Sequence, residues 1–220
     1  MSNVRPNREA VSAVINRVGY DLSGMQVFTS SGTYTPTAGT KAALVIVTGG
    51  GASGGTGTTG TTIGAGGGAG ATEISFLTEK NLVNGTETIT IGSGGSAATG
   101  TDSDGNAGNA SSFGSHISAP GGSAGGKGSA PTGGLGGVAS GSDINLTGGA
   151  GGPGNSGTVA STFSGSRGGC SYWGTGGGGG SPDSVNGEDA EPYGAGGGPA
   201  KYNNTSGAGK AGIIVVYEYN

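Results

Sequence analysis

The chain has 220 residues and a net charge of −4; 57 residues are glycine, 31% are apolar and 10% are charged. Its nine lysines and arginines are scattered singly, so no basic stripe can neutralise phosphates and we expect no nucleic-acid partner. One cysteine, Cys170, excludes an internal disulfide framework and a cysteine-based zinc site. The longest apolar stretch, Ala42 to Val47, is too short to cross a bilayer, so we expect no membrane insertion.

Residues 1–24 differ in composition from the rest and predict a short amphipathic helix. Asn7 is a suitable N-cap, and apolar residues then recur at helical spacing: Val11, Val14, Ile15 and Val18. Such a stripe needs a surface to cover it, which can be a second copy, the body of the chain or a carrier protein. We expect these four residues to serve attachment or oligomerisation. The N-terminus lacks the layout of a signal peptide, so we expect synthesis in a cytosol.

The next segments predict strands. Residues 26–36 contain β-forming residues on both sides of Ser30-Ser31-Gly32, which is the composition of a hairpin turn. Lys41 to Thr48 is a continuous apolar run, so we expect a strand that is buried on both faces.

Two later segments also predict strands. Thr72 to Leu77 and Thr86 to Ile91 form a predicted pair joined through Asn84-Gly85, and Gly212 to Tyr219 forms the final strand. Strands from both ends of the chain must meet across the glycine-rich middle. We therefore expect a mostly β fold with a small β-sandwich or jelly-roll-like base.

The glycine-rich middle cannot be collagen, because glycine does not occupy every third position and there are only eight prolines. Glycine runs with variable segments between them predict packed polyglycine helices of the polyproline-II type, three residues per turn. Disorder is the alternative for such a composition. We favour order because segments with good strand patterns bracket the glycine-rich part, and we expect residues 25–220 to form one domain after the 1–24 segment.

Motifs in a defined order resemble the glycine-rich domain of bacteriophage tail-fibre proteins. They are Phe28 to Tyr34, Val45 to Gly51, Thr90 to Gly95, Ser111 to Ser115 and Gly209 to Tyr219, with glycine runs between them. The polyglycine body is also similar to the receptor-binding adhesins at the tips of long phage tail fibres. That resemblance implies loops that bind an outer-membrane protein or saccharide of a bacterium, and a location in the phage tail. It further implies a fibre carrier protein, with this chain either a homotrimer or a single copy on a trimeric fibre.

The segments between the glycine runs carry the candidate receptor-binding residues. Tyr172 and Trp173 form the strongest candidate, because an exposed aromatic pair suits sugar stacking or a protein hot spot. The alternative is that Trp173 caps the small core. The segment 181–193 concentrates acidic groups, and its alternative is a solvated loop. The candidates in that segment are Asp183, Glu188, Asp189, Glu191 and Tyr193, and lesser ones elsewhere are Lys201, Tyr202, Phe163 and Arg167.

The resemblance implies an adhesin, and we expect it to be non-enzymatic, with no cofactor and no metal. Asp102 to Asn106 has the opening spacing of a calcium loop, but the twelfth position is Phe113 instead of Glu. No spacing of carboxylates argues for a convergent catalytic pair. Two alternatives remain open: an ice-binding polyglycine protein, and a structural tail or fibre component that binds no receptor.

Overall fold

A computed structural model describes residues 21–78, 85–129, 131–156, 166–180 and 186–220. Those residues form eleven strands and no helix. The predicted helix with Val11, Val14, Ile15 and Val18 lies outside them. The strands are β1 Leu22–Phe28, β2 Gly32–Tyr34, β3 Ala42–Thr48, β4 Thr62–Ile63, β5 Thr72–Thr78, β6 Glu87–Thr90, β7 Ser111–Phe113, β8 Ile117–Ala119, β9 Ile144–Leu146, β10 Asn155–Ser156 and β11 Ile213–Tyr219.

The largest sheet has five antiparallel strands in the order β1-β11-β3-β5-β9. The first and last strands of the described chain are neighbours, which confirms that strands from the two ends meet. The middle strand is β3, and all of its residues except Leu44 are buried. Its continuous apolar run therefore matches a strand that is covered on both faces.

A second antiparallel sheet has the order β2-β6-β7-β8, and β4 pairs with β10 in a two-stranded ladder. The main core cluster takes side chains from both large sheets. Tyr34, Ile89 and Phe113 come from the four-stranded sheet, and Val45 and Val216 come from the five-stranded sheet. The hydrophobic core of this mostly β protein is thus shared by the two large sheets.

Both predicted hairpins are wrong. β1 pairs with β11 and β2 with β6, so the chain changes sheet at residues 29–31. The change lets Phe28 and Tyr34 reach the same core from different sheets, with ring centroids 6.4 Å apart. Likewise β5 pairs with β3 and β9, whereas β6 pairs with β2 and β7. The side-chain alternation of a strand is the same in either arrangement, so the pattern cannot identify the partner.

The glycine-rich body consists of extended segments joined by backbone hydrogen bonds. Along residues 49–57, amides that are three positions apart donate to the same neighbouring segment of the chain. The amides of Gly49, Ala52 and Gly55 donate to residues 65–71, and those of Gly50, Ser53 and Thr56 donate to residues 103–109. Burial shows the same three-residue period, as in Gly92, Gly95 and Ala98. Each segment therefore turns once every three residues and shares its hydrogen bonds among several neighbours.

Close packing of these segments explains the glycine content. A Cβ on Gly51 would lie closer than 3.0 Å to the backbone of Gly194 and Ala195, and a Cβ on Gly168 would meet the backbone of Gly196 in the same way. Real Cβ atoms do not approach a backbone so closely. The body is thus ordered mainly by contacts between backbones, and the side chains buried within it, such as Ala52, Ser53 and Ala69, are small.

Candidate functional site

A groove of about 600 Å³ opens on the side of the glycine-rich body. It is bounded by three neighbouring runs of chain, and we call it the acidic groove. It is lined by Arg167, Thr175, Gly176, Gly177, Gly178, Glu188, Asp189, Glu191 and Pro192. Four of these, Arg167, Glu188, Asp189 and Glu191, are candidates from the sequence, and the fold brings them together.

Backbone amides hold two of the carboxylates in the acidic groove. Gly178 N donates to Glu188 Oε2 at 3.1 Å, and Ala208 N donates to Asp189 Oδ1 at 2.7 Å. A Cβ on Gly178 would lie 2.6 Å from Glu188 Oε2, so glycine makes room for that carboxylate. Hydrogen bonds from a rigid backbone reduce the entropy that each side chain loses when a ligand binds.

The charge of the acidic groove is predominantly negative. Three exposed carboxylates, Glu188, Asp189 and Glu191, line it together with the exposed guanidinium-bearing residue Arg167. The backbone of Arg167 forms an antiparallel bridge with Gly178, which places Arg167 beside the segment that Glu188 contacts. Carboxylates accept hydrogen bonds from hydroxyl and ammonium groups, and a guanidinium donates to oxygen acceptors. The groove therefore offers both kinds of polar contact to a ligand.

A tight turn with two aromatic residues adjoins the groove. Ser171 N donates to Gly174 O at 2.9 Å and closes the turn. Tyr172 is 54% exposed. A Cβ on Gly174 would lie 2.8 Å from Pro192 Cγ, so the turn contacts a residue that lines the acidic groove. The turn that carries the exposed ring of Tyr172 therefore adjoins the acidic groove through Gly174 and Pro192.

Trp173 and Tyr193 pack against the five-stranded sheet. Trp173 Nε1 donates to Thr48 Oγ1 at 2.9 Å, and its ring packs with Tyr193 against the cluster of Ile46, Ile213 and Val215. The centroid of its ring lies 5.0 Å from that of Tyr172 in an edge-on arrangement. Trp173 therefore covers part of the five-stranded sheet and supports Tyr172 from behind. A direct role of either residue in receptor binding stays a prediction.

The remaining candidates lie elsewhere. Lys201 forms a backbone bridge with Ile63, and Tyr202, 39% exposed, donates its amide to Thr62 O at 3.3 Å. These two residues lie beside β4, at the end of the body that is away from the two large sheets, and we call this end the tip. Phe163 and Asp183 lie outside the described residues.

The family described as a glycine-rich domain matches residues 28–219. The chain belongs to this family. The match begins at the last residue of β1 and ends at the last residue of β11, so it includes the four-stranded sheet, the whole body and the five-stranded sheet except residues 22–27 of β1. A comparison with curated proteins finds no match. Within the described ranges, no helix is long and apolar enough to span a membrane.

Sequence reasoning missed several features of this glycine-rich domain. Thr175 and Pro192 line the acidic groove, but neither carries a signal that distinguishes it from other loop residues. A smaller cavity of about 300 Å³ is lined by residues that include Ile63, Pro153 and Asn155. These residues come from distant parts of the chain, so no local pattern could have grouped them.

Two titratable groups of the core, Glu218 and Tyr34, have shifted pKa values. Burial raises the pKa of Glu218, but hydrogen bonds from Thr37, Tyr34 and Gln26 lower it more, and the pKa lies below its ordinary value. Burial raises the pKa of Tyr34, and its hydrogen bond to Glu218 and the charge of Glu218 raise it further. This cluster joins β11 to β2, so its role is structural.

Proposed function

We propose that this glycine-rich domain is a phage tail-fibre or tail-tip adhesin that binds a bacterial surface receptor and mediates host attachment. The observation that carries the proposal is the acidic groove, which is lined by Arg167, Glu188, Asp189 and Glu191 and is adjoined, through Gly174 and Pro192, by the turn that carries the exposed Tyr172. A concave site with few, fixed polar groups is the usual form of a ligand site. The domain acts without catalysis, as part of the virion.

Two finer points of architecture belong to the proposal. The two large sheets form a β-sandwich or jelly-roll-like base, which a shared core between them supports. The body is a bundle of packed polyglycine-II helices. Its three-residue periods of hydrogen bonding and burial support this, because that helix has three residues per turn.

Adhesion follows from rigidity and from copy number. The body presents Tyr172 and the groove carboxylates on a backbone network that needs little further ordering, which lowers the entropic cost of binding. Tyr172 supplies a flat surface for a sugar ring or a protein side chain, and the charged groups supply orientation. Several copies, carried on a trimeric fibre as a homotrimer or as single copies, then turn modest affinity into stable attachment.

Binding to cells tests the proposal. Fluorescently labelled protein is applied to a panel of Gram-negative strains, and Tyr172→Ala is compared with the parent. Tyr202→Ala is the matched control, because it removes an exposed tyrosine from the tip. We expect strain-selective binding that falls about thirtyfold in Tyr172→Ala, as for a hot-spot residue worth about 2 kcal/mol. Tyr202→Ala should bind like the parent.

Other outcomes contradict particular parts of the proposal. Loss of binding in Tyr202→Ala alone would move the site from the acidic groove to the tip. A parent protein that binds no strain of a broad panel would favour a structural component without receptor binding. Circular dichroism of each variant checks that the fold is unchanged.

A further inference from the structure

One face of the five-stranded sheet is turned away from the main core, and we call it the outer face. The core takes Ala43, Val45 and Val47 from β3, so the alternate residues Leu44 and Ile46 point the other way. The pairing of the strands places further apolar residues beside Leu44 and Ile46 on this face. They are Tyr217 and Val215 on β11, Met25 and Val27 on β1, Phe76 and Ile74 on β5, and Ile144 on β9.

Only part of the outer face is covered within the described residues. Trp173 and Tyr193 pack over the end nearest the glycine-rich body, at Ile46, Ile213 and Val215. The edge strand β1 stays open, and the exposed fractions of its outward side chains are 62% for Leu22, 58% for Met25 and 50% for Val27. An apolar patch of this kind on a protein surface marks an interaction site.

Residues 1–20, which lie outside the described residues, are joined to the chain at this patch. Residues 1–20 lead directly into Asp21 and Leu22, so they enter at the edge strand of the outer face. Their sequence carries the apolar stripe at helical spacing, Val11, Val14, Ile15 and Val18, that needs a surface to cover it. A segment with an apolar stripe in its sequence and a strand with exposed apolar side chains are therefore neighbours in the chain.

We propose that residues 1–20 fold back onto their own chain and cover the outer face at β1, with Val11, Val14, Ile15 and Val18 against Leu22, Met25 and Val27. Attachment to a carrier protein then uses another surface, or it displaces this segment. A second copy of the chain and a carrier protein are the competing occupants, and the experiment below distinguishes them.

The dimensions suit an intramolecular contact. Val18 is four residues from Leu22, so the two are joined by at most about 14 Å of chain. A helix from Asn7 to Val18 would be about 18 Å long. Five strands at about 4.8 Å spacing make a face about 19 Å wide. A helix that starts from the β1 corner therefore fits on the outer face without a long linker.

Charge also favours the contact. Residues 1–20 contain three arginines and one glutamate, a net charge of +2. The whole chain has a net charge of −4, which leaves −6 on the remaining residues. Attraction between a basic segment and an acidic domain supports docking within the chain. It opposes the pairing of two outer faces from two acidic domains.

Photo-crosslinking of the full chain tests the proposal. Met25 is replaced by p-benzoylphenylalanine, and the crosslinked protein is digested with trypsin, which releases residues 9–17 as one peptide. Leu135→p-benzoylphenylalanine is the matched control, because Leu135 is 69% exposed but lies in the glycine-rich body. The reaction is run on a mixture of ¹⁴N and ¹⁵N chains, so that mass spectrometry separates crosslinks within a chain from crosslinks between chains.

We expect Met25 to crosslink to peptide 9–17 with both parts carrying the same isotope, and Leu135 not to do so. Val14→Asp should lower the yield at least tenfold. Ala13→Asp, on the opposite side of the predicted helix, should keep it. Crosslinks of mixed isotope would overturn the proposal in favour of a second copy. A Met25 probe that never reaches peptide 9–17 in a folded chain would leave the outer face to a carrier protein, and it too would overturn the proposal.

Discussion

Replacement of Gly51 by alanine tests the claim that backbone packing orders the body. Gly51 is buried in the first extended segment after β3. Its amide donates to Lys210 O at 2.9 Å, and its carbonyl accepts from Gly95 N at 2.9 Å. An added Cβ would overlap the backbone of Gly194 and Ala195. Neither Gly51 nor Ala195 can move away without loss of a hydrogen bond, because both are hydrogen-bonded to Lys210. Ala195 O accepts from Lys210 N at 3.0 Å.

The cost of Gly51→Ala follows from these contacts. Ordinary contact requires about 3.5 Å, so one backbone must shift by about 1.5 Å. Overpacking of this kind costs about 1–3 kcal/mol, and each hydrogen bond that the shift breaks costs about 1 kcal/mol more. The lower entropy of an unfolded chain with alanine returns at most about 1 kcal/mol. We therefore expect a net loss of about 3 kcal/mol in the free energy of unfolding.

Thermal unfolding measured by circular dichroism checks this value. For a domain of this size, about 3 kcal/mol corresponds to a decrease of about 6–12 °C in Tm. Gly60→Ala is the matched control, because Gly60 is exposed in the turn before β4 and a Cβ there would meet no atom within 4 Å. Its Tm should stay the same or rise slightly. A Gly51→Ala protein with a Tm within about 1 °C of the parent would refute backbone packing as the reason for this glycine.

Three further predictions concern side chains that join the elements. Trp173→Phe removes the hydrogen bond to Thr48 and should lower the free energy of unfolding by about 1–2 kcal/mol in urea titrations, whereas Tyr172→Phe should change it by less than about 0.5 kcal/mol. Tyr34→Phe removes a donor to the buried carboxylate of Glu218 and should cost about 1–3 kcal/mol; an unchanged urea midpoint would contradict that role. The folded-state pKa of Glu218 is lowered. The contribution of its carboxylate to the free energy of unfolding is therefore complete above the unfolded pKa of about 4.3 and is lost as the pH falls through the folded pKa. Glu218→Gln should therefore weaken the dependence of the urea midpoint on pH below about 4. An unaltered dependence would contradict this role of the Glu218 carboxylate.

The sequence predicted strands where β3, β5, β6 and β11 lie, and two short strands where β1 and β2 lie. β3 and β11 each have seven residues and carry apolar, β-branched runs that few other structures can bury. β7, β8 and β9 have three residues each. Such short strands have no recognisable period, because they owe their existence to the neighbours that pair with them.

The candidate site was predictable only in part. Glu188, Asp189 and Glu191 stood out because acidic residues concentrate in one segment of a sparsely charged chain. Arg167 was singled out independently, and its place opposite them depends on a backbone bridge to Gly178. The hydrogen bond of Trp173 to Thr48 was not predictable, because it joins residues 125 positions apart in the chain. No local pattern contains such a contact.

The sequence by itself determined that the chain is mostly β, that its two ends supply neighbouring strands, and that a body rich in glycine needs backbone packing. Those features follow from composition and from local periodicity, which act over a few residues. The tertiary structure alone decided which strands pair, which glycines tolerate no Cβ and which charged groups share the acidic groove. These depend on contacts between distant segments, and in a body held by backbone hydrogen bonds the side chains carry little information about which segments become neighbours.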